Sequence, residues 1–163
     1  MLSFVLAVIT ALLALGADQY TKYFIASNFE LGEGREFLKG FIDIQYIHNT
    51  GGAWGLLSGS TLILLSLTCL IMVFLVIYLV KWGKGSKLLF WAVCLVISGG
   101  IGNLIDRVFR DGKVIDFLHF EFYPTFPVFN VADIAVVTGA GLLILYFVLD
   151  TIKDMGKAKL KDE

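Results

Sequence analysis

Two aspartates without an obvious basic partner, Asp116 and Asp133, are the candidates for acid–base chemistry in this sequence. Two carboxyl groups that share a poorly hydrated site cannot both ionise easily, so they hold one proton between them. The ionised member can take a proton from water, while the protonated member polarises a carbonyl and later donates to a leaving amine. Such a pair is a candidate for hydrolysing a peptide bond without a covalent intermediate.

The other acids near the candidate pair have basic residues beside them. Asp18 and Lys22 are four positions apart, which lets both side chains share one face of a helix. Asp106 is followed directly by Arg107. Because an acid with a basic partner tends to stay ionised, we expect Asp18 and Asp106 to be structural.

Two asparagines accompany the charged residues at helical spacing. Asn103 precedes Arg107 by four positions, and Asn130 precedes Asp133 by three, so each pair can share a helix face. Asp116 lies between apolar neighbours in the sequence Val-Ile-Asp-Phe. We expect this short sequence to be part of a loop that joins two helices.

These polar residues are set in a very apolar chain. It has 163 residues, of which 58% are hydrophobic and 17% charged, and its mean hydropathy is +0.82. A soluble domain is about half apolar and about a quarter charged, and a globule of this size cannot bury so much apolar surface. The sequence therefore excludes an ordinary soluble enzyme. A net charge of -1 without a basic run also argues against nucleic-acid binding.

Four apolar stretches are each long enough, with their flanks, to cross a bilayer as a helix, which takes about 20 residues. They lack the alternation of a membrane barrel. We therefore predict an all-α integral membrane protein with a single domain over residues 1–163. The first stretch lacks a basic leader, so we expect a retained helix rather than a cleaved signal peptide. The predicted spans are residues 2–25, 61–81, 88–106 and 130–150.

The distribution of basic residues predicts the orientation of these helices. Seven Lys residues are concentrated in the link at 81–87 and in the tail after residue 149. The six other basic residues are spread over the two longer connections. Because basic residues in short loops determine topology, both termini are predicted to be cytoplasmic. Residues 26–60 and 107–129 then face the outside.

The outer segments carry patterns of their own. Alternation between Phe37 and Ile47 predicts a short pair of strands. Residues 49–55 are rich in glycine, and residues 123–127 combine two prolines with aromatic rings, which is typical of irregular loops near lipid headgroups. The candidate polar residues all lie at this end of the predicted helices. We expect them to form one polar pocket that opens to the outer side.

Other hydrolytic chemistries have weaker support in the sequence. His48 and His119 are too few for a dedicated zinc site and no HExxH motif occurs, so no metal is predicted. The serines that lie at the level of Lys22 lack a GxSxG-type setting. An acid pair remains the chemistry that the sequence favours.

Five short blocks resemble those of the bacterial lipoprotein signal peptidase family, also called signal peptidase II. They occur in the family's order, on a four-helix chain of the family's length, and cover nearly the whole chain. The blocks GNLIDR and FNVAD together are specific to the family, whereas DQYTK alone would be weak. Gly52 stands where the family more often has alanine. The blocks are residues 18–22 (DQYTK), 49–54 (NTGGAW), 102–107 (GNLIDR), 114–117 (VIDF) and 129–133 (FNVAD).

The resemblance implies an aspartic endopeptidase of the bacterial cytoplasmic (inner) membrane that needs no metal or organic cofactor. The family cuts prolipoproteins on the amino side of the diacylglyceryl-modified cysteine. The implied partners are therefore diacylglyceryl-modified prolipoproteins and membrane lipid, and the active site faces the outer, periplasmic side. The family also has a small extracytoplasmic β-cradle, which matches the strand pattern described above.

The resemblance also assigns roles to individual residues. The family's catalytic aspartates correspond to Asp116 and Asp133, and the motif acid at Asp106 is structural. Six further residues are implied to bind substrate or to support the acid pair: Asp18, Lys22, Asn49, Asn103, Arg107 and Asn130.

Two other functions are compatible with polar residues in membrane helices. A small proton- or ion-coupled transporter would use buried acids as a relay. Transporters, however, usually place their site near the midplane and show repeats or broken helices, whereas the ionisable residues of this sequence all lie at one edge. A non-catalytic lipid-binding or assembly subunit would use the acids to orient its helices.

Overall fold

The structure is a computed structural model that describes residues 1–51, 59–82 and 85–159. Within these residues the chain forms four helices and three strands. The elements in chain order are α1 (Leu2–Asn28), β1 (Gly34–Leu38), β2 (Ile42–Asn49), α2 (Thr61–Trp82), α3 (Lys87–Phe109), β3 (Val114–Phe120) and α4 (Val131–Lys159). The helices match the four predicted spans, and α4 continues past the predicted end at residue 150.

All four helices are long and apolar enough to cross a membrane, with mean hydropathies from 1.8 to 3.0 over their most apolar windows. In α3, half of the residues in the most apolar window are buried, whereas in α2 only 6% of the corresponding window is buried. The α3 helix contacts α1, α2 and α4, so it is the central helix of the bundle. The other three helices direct most of their large apolar side chains outwards, as expected where the surrounding solvent is lipid.

Glycine lets α3 and α4 approach each other closely. A Cβ atom at Gly139 would lie 2.7 Å from Val96 Cγ2 and 2.8 Å from the Ala92 carbonyl oxygen. On the other side of the interface, a Cβ atom at Gly99 would collide with the Ala132 carbonyl oxygen. Close backbone contact at small residues is a common way to pack membrane helices. Gly141, only two residues from Gly139, has no such atom within 4 Å.

The three strands form one antiparallel sheet in the order β1-β2-β3. The predicted hairpin is present, with Glu36 opposite Asp43. The third strand was not predicted, because it is almost continuously apolar and pairs with residues far away in the chain. It places Ile47 opposite Asp116, so Asp116 lies on a strand and not in the loop that the sequence suggested.

The far edge of β3 is also occupied. The backbone N–H groups of Phe117 and Leu118 donate to the Phe129 carbonyl oxygen at 3.0 and 2.8 Å, and the Phe129 N–H donates back to Leu118 at 2.9 Å. Residues 123–127 form turns without helix or strand, as predicted. Residues 52–55 of the predicted glycine-rich loop lie outside the described residues.

The sheet is anchored to the end of α1 by an apolar cluster. Ile25 of α1 packs with Tyr46 of β2 and with Ile115 and Phe117 of β3, and all four side chains are buried. The residues on both sides of Asp116 are therefore held by the core, which fixes the strand that carries this carboxyl group.

We expect Gly139→Ala to destabilise the bundle by about 1–3 kcal/mol, because the added methyl group overpacks a helix interface that includes backbone atoms. Gly141→Ala is the matched control and should leave stability unchanged or slightly raised, since its methyl group meets open space. Thermal unfolding of both variants in one detergent checks this. Equal melting temperatures would contradict the packing described here.

Candidate active site

The predicted polar residues meet at one end of the bundle, where the sheet joins the helices. Asp116 of β3 and Asp133 in the first turn of α4 line a common cavity of about 450 Å³. Asn49, Asn103 and Arg107 line it as well. The rest of the wall is apolar and is built from Val114, Phe126, Pro127, Val128, Phe129, Val136 and Val137.

Asp133 is held by the start of α4. The Asn130 side-chain oxygen accepts from the Asp133 backbone N–H at 2.9 Å, and Asp133 Oδ2 accepts from the Asn130 backbone N–H at 3.1 Å. This reciprocal pair is a capping box, which satisfies two backbone donors that the helix leaves free. The second oxygen, Oδ1, accepts from Asn103 Nδ2 at 2.8 Å.

Asp116 is held by two side-chain amides. Its Oδ2 accepts from Asn49 Nδ2 at 2.8 Å, and its Oδ1 accepts from Asn130 Nδ2 at 2.6 Å. Asn130 therefore contacts both aspartates. All four carboxyl oxygens accept N–H groups from neutral amides. Within the described part of the chain neither aspartate forms a salt bridge, so their charge is not fixed by a direct cationic partner.

The environment of Asp116 favours its protonated form. Burial, followed by the negative charge of Asp133, raises the pKa of Asp116 from 3.8 to about 7. The hydrogen bonds from Asn49 and Asn130 and the positive charge of Lys22 oppose this shift but are outweighed. Asp116 can therefore carry a proton near neutral pH, which the sequence-based hypothesis of a shared proton requires.

A fully buried lysine lies behind the two aspartates. Lys22 Nζ is 3.0 Å from Asp18 Oδ2, 3.0 Å from Asp106 Oδ2 and 2.9 Å from Asn103 Oδ1. The predicted pair of Asp18 and Lys22 is thus present. A Cβ atom at Gly102 would lie 2.6 Å from Asp18 Oδ2, so glycine at this position makes room for the carboxylate.

Asp106 does not pair with Arg107, which corrects the expectation from their adjacency. Adjacent residues point in different directions on a helix, whereas residues four apart share a face. Asp106 instead pairs with Lys22 and with Arg110, whose Nε is 3.3 Å from its Oδ1. Arg107 lines the cavity and donates to the Gly51 carbonyl oxygen at 3.0 Å.

The lysine also sets the direction of the Asn103 amide. Because Lys22 can only donate, the atom that it contacts must be the amide oxygen of Asn103. The NH₂ group of Asn103 then faces Asp133. Lys22 is therefore connected to Asp133 through one intervening side chain.

The structure divides the eight predicted site residues into two groups. Five line the cavity, and three, namely Asp18, Lys22 and Asn130, lie behind it. The apolar wall was not predicted as part of the site. Its signal in the sequence was the run of prolines and aromatic residues at 123–127, but nothing there indicated that Phe126 faces the acids. In the described residues no cluster of His, Cys, Asp or Glu could hold a metal ion.

We expect Lys22→Met to lower the free energy of unfolding by about 3–5 kcal/mol, because it leaves buried carboxylates without their ammonium partner. Lys157→Met is the control, since the Lys157 pair with Asp154 is exposed and should contribute little. Thermal unfolding in detergent measures both. Equal stability of the two variants would show that the buried network is not needed for the fold.

The pKa of Asp116 makes stability depend on pH. Folding raises this pKa from 3.8 to about 7, so the folded chain binds more protons between these values. The free energy of unfolding should therefore fall as pH rises from about 4 to about 7. Asp116→Asn should reduce this fall, whereas Asp111→Asn in the exposed turn before β3 should retain it in full. Melting temperatures across this range test it, and identical slopes would contradict it.

The chain is similar in sequence to a family of known proteins. A family model described as signal peptidase (SPase) II matches residues 10–149. The lipoprotein signal peptidase of Enterococcus faecalis is 41% identical over 142 residues, covering 87% of this chain and 86% of the relative. The protein of the same name from Clostridium acetobutylicum is 40% identical over 141 residues, covering 86% and 92%.

Two solved structures have the same fold. One bacterial membrane enzyme is 34% identical and superimposes with a TM-score of 0.83, covering 89% of this chain and 88% of its own. Another is 33% identical with a TM-score of 0.79 and covers 86% and 91%. The residues matched by the family model include both cavity aspartates and the network around Lys22. The chain therefore belongs to the signal peptidase II family, a family of peptidases, and its four helices that are long and apolar enough to span a membrane suit a multi-pass bacterial membrane protein.

Proposed function

We propose that this protein is an aspartic endopeptidase that removes signal peptides from lipid-modified prolipoproteins, with Asp116 and Asp133 as its catalytic pair. The observation that carries the proposal is the shared cavity, in which a buried carboxyl group, Asp116, and a partly buried one, Asp133, come from different elements. Among the described residues, neutral amides hold both groups. Membership of a peptidase family argues against the transporter and the non-catalytic subunit as alternatives.

The two aspartates have different roles in this mechanism. Asp116 carries the shared proton, in keeping with its raised pKa. Asp133 is the ionised member, because it lies at the amino end of α4, where the helix dipole favours a negative charge. The four amide hydrogen bonds orient both groups before substrate arrives, which reduces the reorganisation that the reaction requires.

Hydrolysis then proceeds in two proton transfers. Asp133 takes a proton from water as the water oxygen bonds to the carbonyl carbon, while the Asp116 proton hydrogen-bonds to the carbonyl oxygen. Asp116 donates its proton to the amine nitrogen as the C–N bond breaks and the carbonyl re-forms. The products are a carboxylic acid and an amine, and the pair still holds one proton, now on Asp133.

The apolar wall suits a substrate that carries acyl chains. Val136 and Val137 lie one turn of α4 beyond Asp133, and Val137 is exposed on the outside of the bundle. The cavity can thus be reached from the hydrocarbon as well as from its polar end. We assign the bond on the amino side of the diacylglyceryl-cysteine as the one cleaved, which leaves the acyl chains beside this apolar face.

The location of the site follows from the distribution of basic residues. If the lysine-rich link at 81–87 and the carboxyl-terminal tail are cytoplasmic, the sheet and the cavity face the outer side of the inner membrane. The residues around the pair, including Asn49 and Arg107, then support the acids or hold the substrate there.

We expect Asp116→Asn and Asp133→Asn each to abolish cleavage of a lipidated precursor, with a loss of at least about 1,000-fold in kcat, because neither amide can exchange a proton in the reaction. Both variants should remain folded. Asp111→Asn is the control on the same side of the protein, and asparagine tolerates its positive φ of 53°. The assay follows release of the signal peptide by the purified full-length chain in detergent. Cleavage at the normal rate by either variant would refute the catalytic pair.

A further inference from the structure

Asp18 and Asp106 flank Lys22 in an arrangement that the catalytic scheme does not use. Each contributes one carboxylate oxygen 3.0 Å from Lys22 Nζ. All three side chains are at most 1% exposed, and none of them lines the cavity. They are therefore too deep to touch substrate, and any effect they have on the reaction must pass through other groups.

Each of these carboxylates also holds a particular backbone N–H group. Asp18 Oδ1 accepts from the Ala132 N–H at 2.9 Å, and Asp106 Oδ2 accepts from the Ile115 N–H at 3.1 Å. Ala132 directly precedes Asp133, and Ile115 directly precedes Asp116. The two carboxylates thus act at equivalent points, one residue before each member of the proposed pair.

Both N–H groups would otherwise lack a partner in the secondary structure. Ala132 is in the first turn of α4, where backbone donors have no acceptor within the helix. The Ile115 N–H is at the edge of β3 opposite to β2, on the side where Phe117 donates to Phe129. A carboxylate is a stronger acceptor than a neutral group for such donors, so it can fix the peptide that precedes each aspartate.

We propose that Asp18 and Asp106 are matched positioning residues. Asp18 sets the placement of Asp133, and Asp106 sets that of Asp116, because each holds the backbone N–H group of the preceding residue. Lys22 pairs with both acids and connects them. This inference rests on the proposed function, because it assigns a purpose to the spacing of the two aspartates. Lys22 links the two anchors, so neither can shift without affecting the other.

The charges of this group make single substitutions informative. Asp18, Asp106 and Lys22 together carry two negative charges and one positive charge. Neutralising either acid leaves Lys22 with the other carboxylate at 3.0 Å, so the ammonium remains paired and the chain should still fold.

The oxygen atoms used by the two acids predict different outcomes for their asparagine variants. Asp106 uses one oxygen, Oδ2, for both Lys22 and the Ile115 N–H. The single amide oxygen of Asp106→Asn can keep both contacts, while its NH₂ group takes the place that faces the half-exposed Arg110.

Asp18 divides its contacts between two oxygens. Oδ1 holds the Ala132 N–H, whereas Oδ2 accepts from Lys22 and from Gln19 Nε2 at 2.9 Å. The amide of Asp18→Asn has one oxygen, and the buried ammonium of Lys22 needs an acceptor there, so we expect the contact with the Ala132 N–H to be the one that is lost. We therefore expect Asp18→Asn to be the more harmful of the two asparagine variants.

The test measures kcat and KM for the purified full-length chain with a lipidated precursor peptide. Loss of one charge-assisted hydrogen bond should lower kcat by about 10- to 100-fold, and we expect this for Asp18→Asn, Asp18→Leu and Asp106→Leu. Asp106→Asn should stay within about threefold of the unsubstituted chain on the same reasoning. KM should change less than about twofold in all four, since these side chains do not reach the cavity. The matched control is Arg110→Gln, which removes one cationic partner of Asp106 but leaves the hydrogen bond between Asp106 and the Ile115 N–H. This variant should keep the activity of the unsubstituted chain.

Amide hydrogen exchange supplies a readout that does not depend on catalysis. With selective ¹⁵N labelling, Asp106→Leu should speed exchange of the Ile115 N–H and spare Ala132, whereas Asp18→Leu should do the reverse. If a leucine variant does not fold, the asparagine variants decide, with Ala132 affected in Asp18→Asn and Ile115 protected in Asp106→Asn.

The results separate this inference from the proposed function. If the unsubstituted chain cleaves and Asp116→Asn does not, but all Asp18 and Asp106 variants retain normal kcat, the positioning role is wrong and the peptidase assignment stands. A rise in KM with kcat unchanged would also overturn it. If the unsubstituted chain does not cleave, the proposed function fails, and unchanged exchange at Ala132 and Ile115 would then reject the two anchors independently.

Discussion

The structure depends on supplying hydrogen-bond acceptors to one ammonium group that is buried away from water. Lys22 is fully buried, and an isolated buried charge is far too costly to retain, so it requires acceptors on every side. It finds them in a carboxylate of its own helix and in a carboxylate and an amide of α3. The ammonium thereby fixes how α1 and α3 meet, and the remaining atoms of its partners reach the start of α4 and the edge of β3.

The charged group and the acid pair differ in their direct contacts. The lysine network contains buried ion pairs, whereas the partners of Asp116 and Asp133 in the described part of the chain are side-chain and backbone amides. A direct cation beside Asp116 would hold it ionised and remove its ability to donate a proton. The side chains of Asn103 and Asn130 connect the lysine network to the two aspartates by hydrogen bonds, and being neutral they place no full charge beside either carboxyl group. The cost is that Asp116 is buried without an ion-pair partner among the residues that the structure describes.

Much of this arrangement was predictable from the sequence. Helix length and hydropathy gave the four spans, and the spacing of Asp18 with Lys22 and of Asn130 with Asp133 gave contacts within single turns. Contacts between distant segments could not be obtained in this way. The strand β3 has no alternation that would reveal it, and Asp106 was assigned the wrong partner because adjacency in sequence is a poor guide to direction on a helix. The apolar wall depends on how the loop after β3 folds back, which local pattern does not determine.

The occupied edge of β3 restricts how an extended peptide can be held next to Asp116. Many peptide-binding proteins add their ligand as an extra strand to an open sheet edge, and the backbone then provides affinity along its length. Here β2 covers one edge of β3, and Asp106 and Phe129 take the N–H groups of the other. An extended peptide therefore cannot add as a further strand to β3 next to Asp116. A peptide next to Asp116 must then be recognised by side chains and by the shape of the apolar cleft, not by a continuous ladder of backbone hydrogen bonds.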